Sequence, residues 1–289
     1  GNLIKEESSQ KIIEILGILY QDSPLDTLKI YEQGLEDPSM RPVLLEPEMI
    51  LRYSQWAFQQ FYIEPTDILR KISSLFDQRD DKIKADAYFE FARISMSLFR
   101  KAERFQVSEE RKSIIKIRSS IQDALQKGQV HRQEMKNLKG TYNEYEKQLS
   151  DESRRLTETA KSAILHFLRC IYLTDDYDLE ATHSIIAVLF SLYNSLKKTD
   201  EKDKSQIFQE INEEFNTNVA RKFVSLFYQI AAHYDVPRES EVEKQFQKLL
   251  HDMMIQIAPQ GPFSCFPIIY ALGHNETGDM ESKVKAIKQ

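Results

Sequence analysis

The middle of this sequence lacks the residues that break helices and form turns. Residues 66–236 contain no proline, and the only glycines between Gly34 and Gly261 are Gly128 and Gly140. The hairpin dipeptides Asn-Gly and Asp-Gly occur nowhere in the chain. A β protein needs turn residues about every ten positions. This scarcity makes a sheet improbable and predicts an all-α chain.

The chain is also short of cysteine, of long apolar runs and of surplus positive charge. Cys170 and Cys265 are too few for a disulfide framework and are typical of a reduced, intracellular compartment. The longest nearly apolar run, residues 223–232, is about half the length that crosses a bilayer. A net charge of −6 disfavours direct nucleic-acid binding. The chain begins at Gly1 without an initiator Met or a signal peptide, so we expect a segment of a larger protein.

Sequence motifs typical of nucleotide-binding, protein-kinase and metal-binding sites are absent as well. The eight glycines never fall in a G-x-G-x-x-G or G-x-x-x-x-G-K frame, which would bring backbone amides to a phosphate. Protein-kinase signatures and the H-E-x-x-H and C-x-x-C metal patterns do not occur. The sequence therefore predicts no catalytic, cofactor-binding or metal-binding residue, and no enzyme activity in this chain. A helical active site without a known motif is the enzymatic alternative, which turnover of a nucleotide or ester would reveal.

Side chains suited to catalysis or metal binding are dispersed along the sequence. We interpret the six histidines as ordinary surface or core-edge residues: His131, His166, His183, His233, His251 and His274. Three aspartates follow Leu173, namely Asp175, Asp176 and Asp178. Clustered carboxylates raise one another's pKa and can hold a cation or serve acid–base chemistry. An acidic loop between helices is the simpler interpretation.

Two further clusters are best explained by structure. Lys197, Lys198 and residues 201–204 form a mixed-charge stretch, which predicts a solvated linker in preference to a phosphate site. The aromatic residues Phe223, Phe227 and Tyr234 stand at helical spacing and predict core packing. Neither cluster requires a cofactor.

Apolar spacing predicts a succession of helices. In chain order they cover residues 9–20, 26–34, 50–61, 66–76, 82–105, 163–172, 185–193, 223–230, 241–257 and 262–272. Pro38, Pro42 and Pro47 predict a loop, and Thr66 with Asp67 predict a helix cap. Short links between successive helices predict an irregular α-solenoid of antiparallel pairs, similar to TPR or HEAT repeats but without a strict period.

Residues 107–156 carry an apolar heptad typical of a coiled coil. Its first set of positions is Val107, Ile114, Ile121, Gly128, Met135, Tyr142, Leu149 and Leu156, and its second set includes Ile117, Ala124, Leu138 and Tyr145. Two arrangements fit this pattern. Either one helix of about 75 Å projects from the body, or the chain folds back near Gly128 or Gly140 into a helical hairpin. We favour the hairpin, because a lone helix would leave its apolar seam in water.

Four segments resemble a known family in their order and spacing. They are residues 84–94 (KADAYFEFARI), 163–173 (AILHFLRCIYL), 221–232 (RKFVSLFYQIAA) and 262–272 (PFSCFPIIYAL). Together they are similar to the C-terminal part of the FAT domain of phosphatidylinositol-3-kinase-related protein kinases, and closest to the ataxia-telangiectasia-mutated branch. Where that branch has a pair of histidines before its last apolar helix, this chain has Gln260 and Gly261.

The resemblance implies a function that composition and spacing do not. It implies helical repeats that clamp a kinase domain in cis, in a large nuclear serine/threonine kinase of the DNA double-strand-break response. That kinase domain, which uses ATP and Mg, is not in this chain, so we expect an apolar surface left exposed near residues 263–272. We expect repeats in residues 1–105 and 157–275, a heptad helix or hairpin in 106–156 that provides a homodimer contact, and a flexible tail in 276–289. The alternative is a free-standing helical-repeat adaptor that binds protein partners.

Overall fold

The computed structural model describes a chain whose regular structure is helical. The described residues are 24–60, 63–126, 132–199, 206–235 and 240–274. Within these ranges there is no strand, so the predicted all-α class is confirmed. None of the helices in these ranges is both long enough and apolar enough to cross a membrane. The predicted helix at residues 9–20 and the predicted tail at residues 276–289 lie outside the described residues.

The chain divides into two compact units, residues 1–94 and 95–289. The first unit contains α1 (Pro24–Glu36), α2 (Arg41–Leu44), α3 (Pro47–Gln60), α4 (Pro65–Ser73) and the larger part of α5 (Asp81–Gln106). Proline stands in the first turn of each of the first four helices, where its missing N–H has no helical partner to lose. The predicted loop from Pro38 to Pro47 is therefore wrong in part, because Pro42 and Pro47 start helices.

The core of the first unit is built on two stacked tyrosines. The Tyr31 and Tyr53 rings lie 3.6 Å apart, with the Lys71 ammonium 5.3 Å from the Tyr31 centroid. Ile68 and Ile72 from α4 are fully buried beside the same core. The predicted cap of α4 is wrong: Glu64 is the N-cap and its side chain makes no capping bond, because Pro65 already starts the helix.

The second unit holds the end of α5 and the remaining helices. They are α6 (Glu109–Gln126), α7 (Arg132–Leu173), α8 (Asp178–Thr199), α9 (Gln206–Glu214), α10 (Thr217–Ala220), α11 (Phe227–His233), α12 (Glu241–Ile257) and α13 (Pro262–His274). Two 3₁₀ turns, Arg221–Leu226 and Ala258–Gln260, precede α11 and α13. The predicted bounds of α5 and α12 are confirmed to within one residue, whereas α9 was not predicted.

The heptad region forms a hairpin, the second of the two arrangements considered. α6 packs on α7, and residues 111–118 of α6 line one cleft with residues 146–154 of α7. Because only five residues separate the end of α6 from the start of α7, the two packed helices run antiparallel. α7 continues through Gly140 and past Leu156 into the body as one helix of 42 residues. The seam buries Ile114, Ile121 and Leu156.

Not every heptad position is buried in that seam. Val107 is 66% exposed and Ile117 43% exposed, although both belong to the predicted apolar sets. Val107 precedes α6, and Ile117 lies on a part of α6 that the single partner helix does not cover. Two helices bury a narrower stripe than a larger bundle, and these residues lie outside it.

The rest of the second unit packs around α7, α8 and α12. Phe246 of α12 stacks on Tyr193 of α8 with ring centroids 3.8 Å apart and meets Phe208 of α9 edge-on at 5.4 Å. The predicted linker is wrong at Lys197 and Lys198, because α8 runs to Thr199. Lys197 lies over the Tyr193 ring, and the adjacent Leu196 is buried, so packing extends the helix at least to the first of these lysines.

Candidate functional site

The last helix carries the largest exposed aromatic face in the described part of the chain. Phe263 is 94% exposed, Phe266 65% and Tyr270 54%. These residues are spaced three and four apart, so they follow one another along a single side of α13. The Phe266 and Tyr270 rings lie 6.1 Å apart. We call these three residues the α13 aromatic face.

The opposite side of α13 is anchored in the second unit. Cys265 is fully buried, and α13 packs on α11 and on both 3₁₀ turns. Gly261, immediately before the helix, lies so close to Val224 that a Cβ there would overlap the valine side chain. These contacts hold the helix while leaving the aromatic face in solvent. The exposed apolar surface expected near residues 263–272 is therefore confirmed.

Burial of the α13 aromatic face would provide substantial free energy. Three aromatic side chains at these exposures leave roughly 400 Å² available for contact, given about 200 Å² each. At about 25 cal/mol per Å², complete burial contributes on the order of 10 kcal/mol before the entropic cost of association. A patch of this size is comparable to the largest apolar patch on a typical monomer, which is often a functional surface.

The three aspartates form a charged junction and not a cation site. The Lys222 ammonium, with its side chain only 4% exposed, donates to the carbonyl oxygens of Ile171 at 2.5 Å and Thr174 at 2.7 Å. It also contacts Asp175 Oδ1 and Asp178 Oδ1, each at 2.7 Å. The ammonium therefore caps the C-terminal end of α7 and neutralises the acidic loop.

The charges of this junction act on the Asp175 carboxylate. The hydrogen bond and charge of Lys222, aided by Arg221 at 2.8 Å, hold the pKa of the Asp175 carboxyl below its usual range. That shift is opposite in direction to the raised pKa that a general acid needs. Asp176 is exposed, and its N–H donates to Thr174 Oγ1. Asp175 and Asp176 lie in the loop between α7 and α8 as predicted, whereas Asp178 is the first residue of α8.

The described histidines do not converge on one place. His166, His183 and His233 each have Nδ1 within 3.0 Å of the carbonyl oxygen four residues earlier in their own helix. Burial lowers the pKa of His166 to about 4, so its ring is neutral at physiological pH. His251 lies 3.3 Å from the Asp252 carboxylate. His131 lies outside the described residues, as does the side chain of His274.

Other candidates from the sequence belong to the core. Phe223 and Phe227 are almost fully buried and Tyr234 is mostly buried, so the prediction of core packing is confirmed. Phe223 meets Phe215 edge-on at 5.2 Å. Within the ranges that the structure describes, no three His, Cys, Asp or Glu side chains are grouped as metal ligands would be.

The geometry thus offers a contact surface on α13. Its aromatic side chains supply apolar area and ring edges, and the buried side of the helix supplies rigidity. Such a surface recognises another protein surface by shape and by burial of aromatic rings. A scan against protein-family models and a search of curated proteins found no match to this chain.

Proposed function

We propose that this chain is a non-catalytic scaffold segment of the FAT type, which packs on a serine/threonine kinase domain of the same polypeptide and regulates it. The observation that carries the proposal is the α13 aromatic face, which lies in the segment most similar to the helix upstream of the kinase domain in that family. The helical fold and the order of the other three resembling segments support it. By the same resemblance, the parent kinase is nuclear and responds to DNA double-strand breaks.

The size of the face favours a partner in cis. A stable interface between separate proteins buries about 800 Å² on each side, whereas the α13 aromatic face offers about half of that area. A covalently linked domain docks at an effective concentration in the millimolar range, so a smaller surface is sufficient. This argument favours a linked kinase domain over the free adaptor, which needs a larger surface.

The first test is the sequence that follows Gln289 in the parent transcript. Kinase motifs in the same reading frame would support the proposal, and a stop codon would refute it in favour of a free-standing adaptor. If a kinase domain follows, the contact is tested in the linked polypeptide by hydrogen exchange. We expect residues 262–274 to exchange more slowly in the linked polypeptide than in this chain alone.

The contact is then tested with matched variants. Replacement of both Phe263 and Phe266 by Ser should abolish this protection in the linked polypeptide, because it removes most of the exposed aromatic area. Ile117→Ser is the control, since Ile117 is an exposed apolar residue on the hairpin. Equal protection of residues 262–274 in both variants would contradict a role for α13, and thermal unfolding would show that each variant is folded.

A further inference from the structure

A groove runs along the side of the helical hairpin and continues to α8. Two adjoining clefts share Arg111 and Ser153, and the deeper one has a volume of about 370 Å³. We call this surface the hairpin groove and define it by its polar lining: Arg111, Arg118, Ser150, Ser153, Asn194 and Ser195. Leu156 and Leu196, both buried, lie beneath it.

The two arginines of the groove are available to bind an anionic ligand. Arg111 and Arg118 are half-buried, and in the described ranges no carboxylate forms an ion pair with either guanidinium. Elsewhere on the hairpin, Arg154 pairs with Asp151 at 3.0 Å and Arg155 pairs with Glu152 at 3.2 Å. Partial burial removes water from a cation, which raises its free energy when no carboxylate lies beside it. An acidic ligand would lower that free energy.

The spacing of the two arginines indicates the shape of the ligand. They are seven residues apart on one face of α6, which places their Cα atoms about 10.5 Å apart along the helix axis. A chain in the polyproline II conformation repeats its side-chain direction every three residues, or about 9.3 Å. Acidic side chains at positions i and i+3 of such a chain would therefore reach one arginine each.

The other lining groups suit a peptide better than a nucleic acid. The hydroxyl groups of Ser150 and Ser195 and the Asn194 amide can bond to a peptide main chain. Two carboxylates also line the groove, Glu146 and Glu103, and the latter accepts a hydrogen bond from Ser191 Oγ. A polynucleotide carries a negative charge at every nucleotide and would place some of these charges beside the two carboxylates, whereas a peptide with two acidic side chains can place its uncharged residues there.

We propose that the hairpin groove binds an extended acidic segment of a partner protein, with carboxylates three residues apart on Arg111 and Arg118. This site is separate from α13, and its recognition chemistry does not depend on the proposed kinase domain. It provides a second contact surface, specific for acidic sequence.

The experiment uses the whole chain and a fluorescein-labelled peptide, GPEPPEPG, with GPQPPQPG as its uncharged control. Fluorescence anisotropy should detect binding of the acidic peptide alone, and added salt should weaken it. Each guanidinium–carboxylate pair contributes about fivefold in affinity. The variant with Arg111→Gln and Arg118→Gln should therefore bind roughly twentyfold more weakly, whereas Arg79→Gln, an exposed arginine in the first unit, should bind as the wild type does.

Three results would overturn the proposal. They are equal binding of the two peptides, unchanged affinity in the double-arginine variant, and preference for a single-stranded oligothymidylate over the acidic peptide. Because the uncharged peptide is tested on the unaltered protein, this comparison does not depend on how any variant folds.

Discussion

Replacement of Lys222 by Met tests whether one buried ammonium holds the junction between α7 and α8. Methionine keeps the length and apolar stem of lysine but donates no hydrogen bond. The carbonyl oxygens of Ile171 and Thr174 would each lose a donor in a site where the side chain is 4% exposed. Asp178, at 32% side-chain exposure, would lose its ion pair as well.

The expected cost follows from these contacts. Each buried carbonyl left without a charged donor costs about 1–2 kcal/mol, and we discount the ion pairs because both carboxylates are partly exposed. The free energy of unfolding should fall by about 3 kcal/mol at pH 7. Urea denaturation measures it, with Lys248→Met as the control, because Lys248 is exposed on α12 and should change stability by less than about 0.5 kcal/mol.

The same variant should respond differently to acid. Because Lys222 lowers the pKa of Asp175 in the folded state, this stabilisation is present above about pH 4 and is lost as the pH falls through the folded-state pKa. Without the lysine, Asp175 retains only Arg221 as a partner. The stability gap between wild type and variant should therefore narrow at pH 3. A loss below about 1 kcal/mol at pH 7, or an unchanged gap at pH 3, would refute the reasoning.

The remaining predictions concern two glycines and one histidine. Gly261→Ala should destabilise the second unit and loosen α13, because its Cβ would overlap the Val224 side chain. Gly140→Ala lies in open space within α7 and should raise the free energy of unfolding by about 0.5–1 kcal/mol, measured by thermal or urea unfolding. Equal effects of the two changes would contradict the packing argument. His166 should titrate near pH 4 by NMR, and because its pKa is lowered by burial, wild-type stability should decline as the pH falls from about 6.5 to 4. His166→Leu should flatten that decline, and a titration near pH 6.5 would contradict burial.

The sequence predicted what depends on local spacing. The bounds of α5 and α12 follow from apolar periodicity and agree with the structure to within a residue. The hairpin was favoured because a heptad needs a partner, and α7 supplies one to α6. The exposed surface near residues 263–272 was expected from the family resemblance and not from spacing, because the kinase domain that the resemblance implies is not in this chain.

The errors arose where tertiary contacts decide the structure. Lys197 and Lys198 look like a linker, yet contacts of their helix with α12 carry α8 to Thr199, and Lys197 lies 3.5 Å from Glu243. The short helix α9 was missed because its apolar residues, Ile207, Phe208 and Ile211, are few and are stabilised by packing on α12. Local propensity is a weak predictor for such short elements.

The hairpin groove shows why a binding surface of this kind is hard to predict from spacing. The interval between Arg111 and Arg118 places both on one face of α6, but α7 offers several carboxylates that pair with other arginines of the hairpin. Whether an arginine has a partner depends on the register of the two helices, which in turn depends on the turn between them. The sequence signal was thus two arginines seven residues apart, and only the antiparallel pairing of α6 with α7 makes it a candidate site for an acidic peptide.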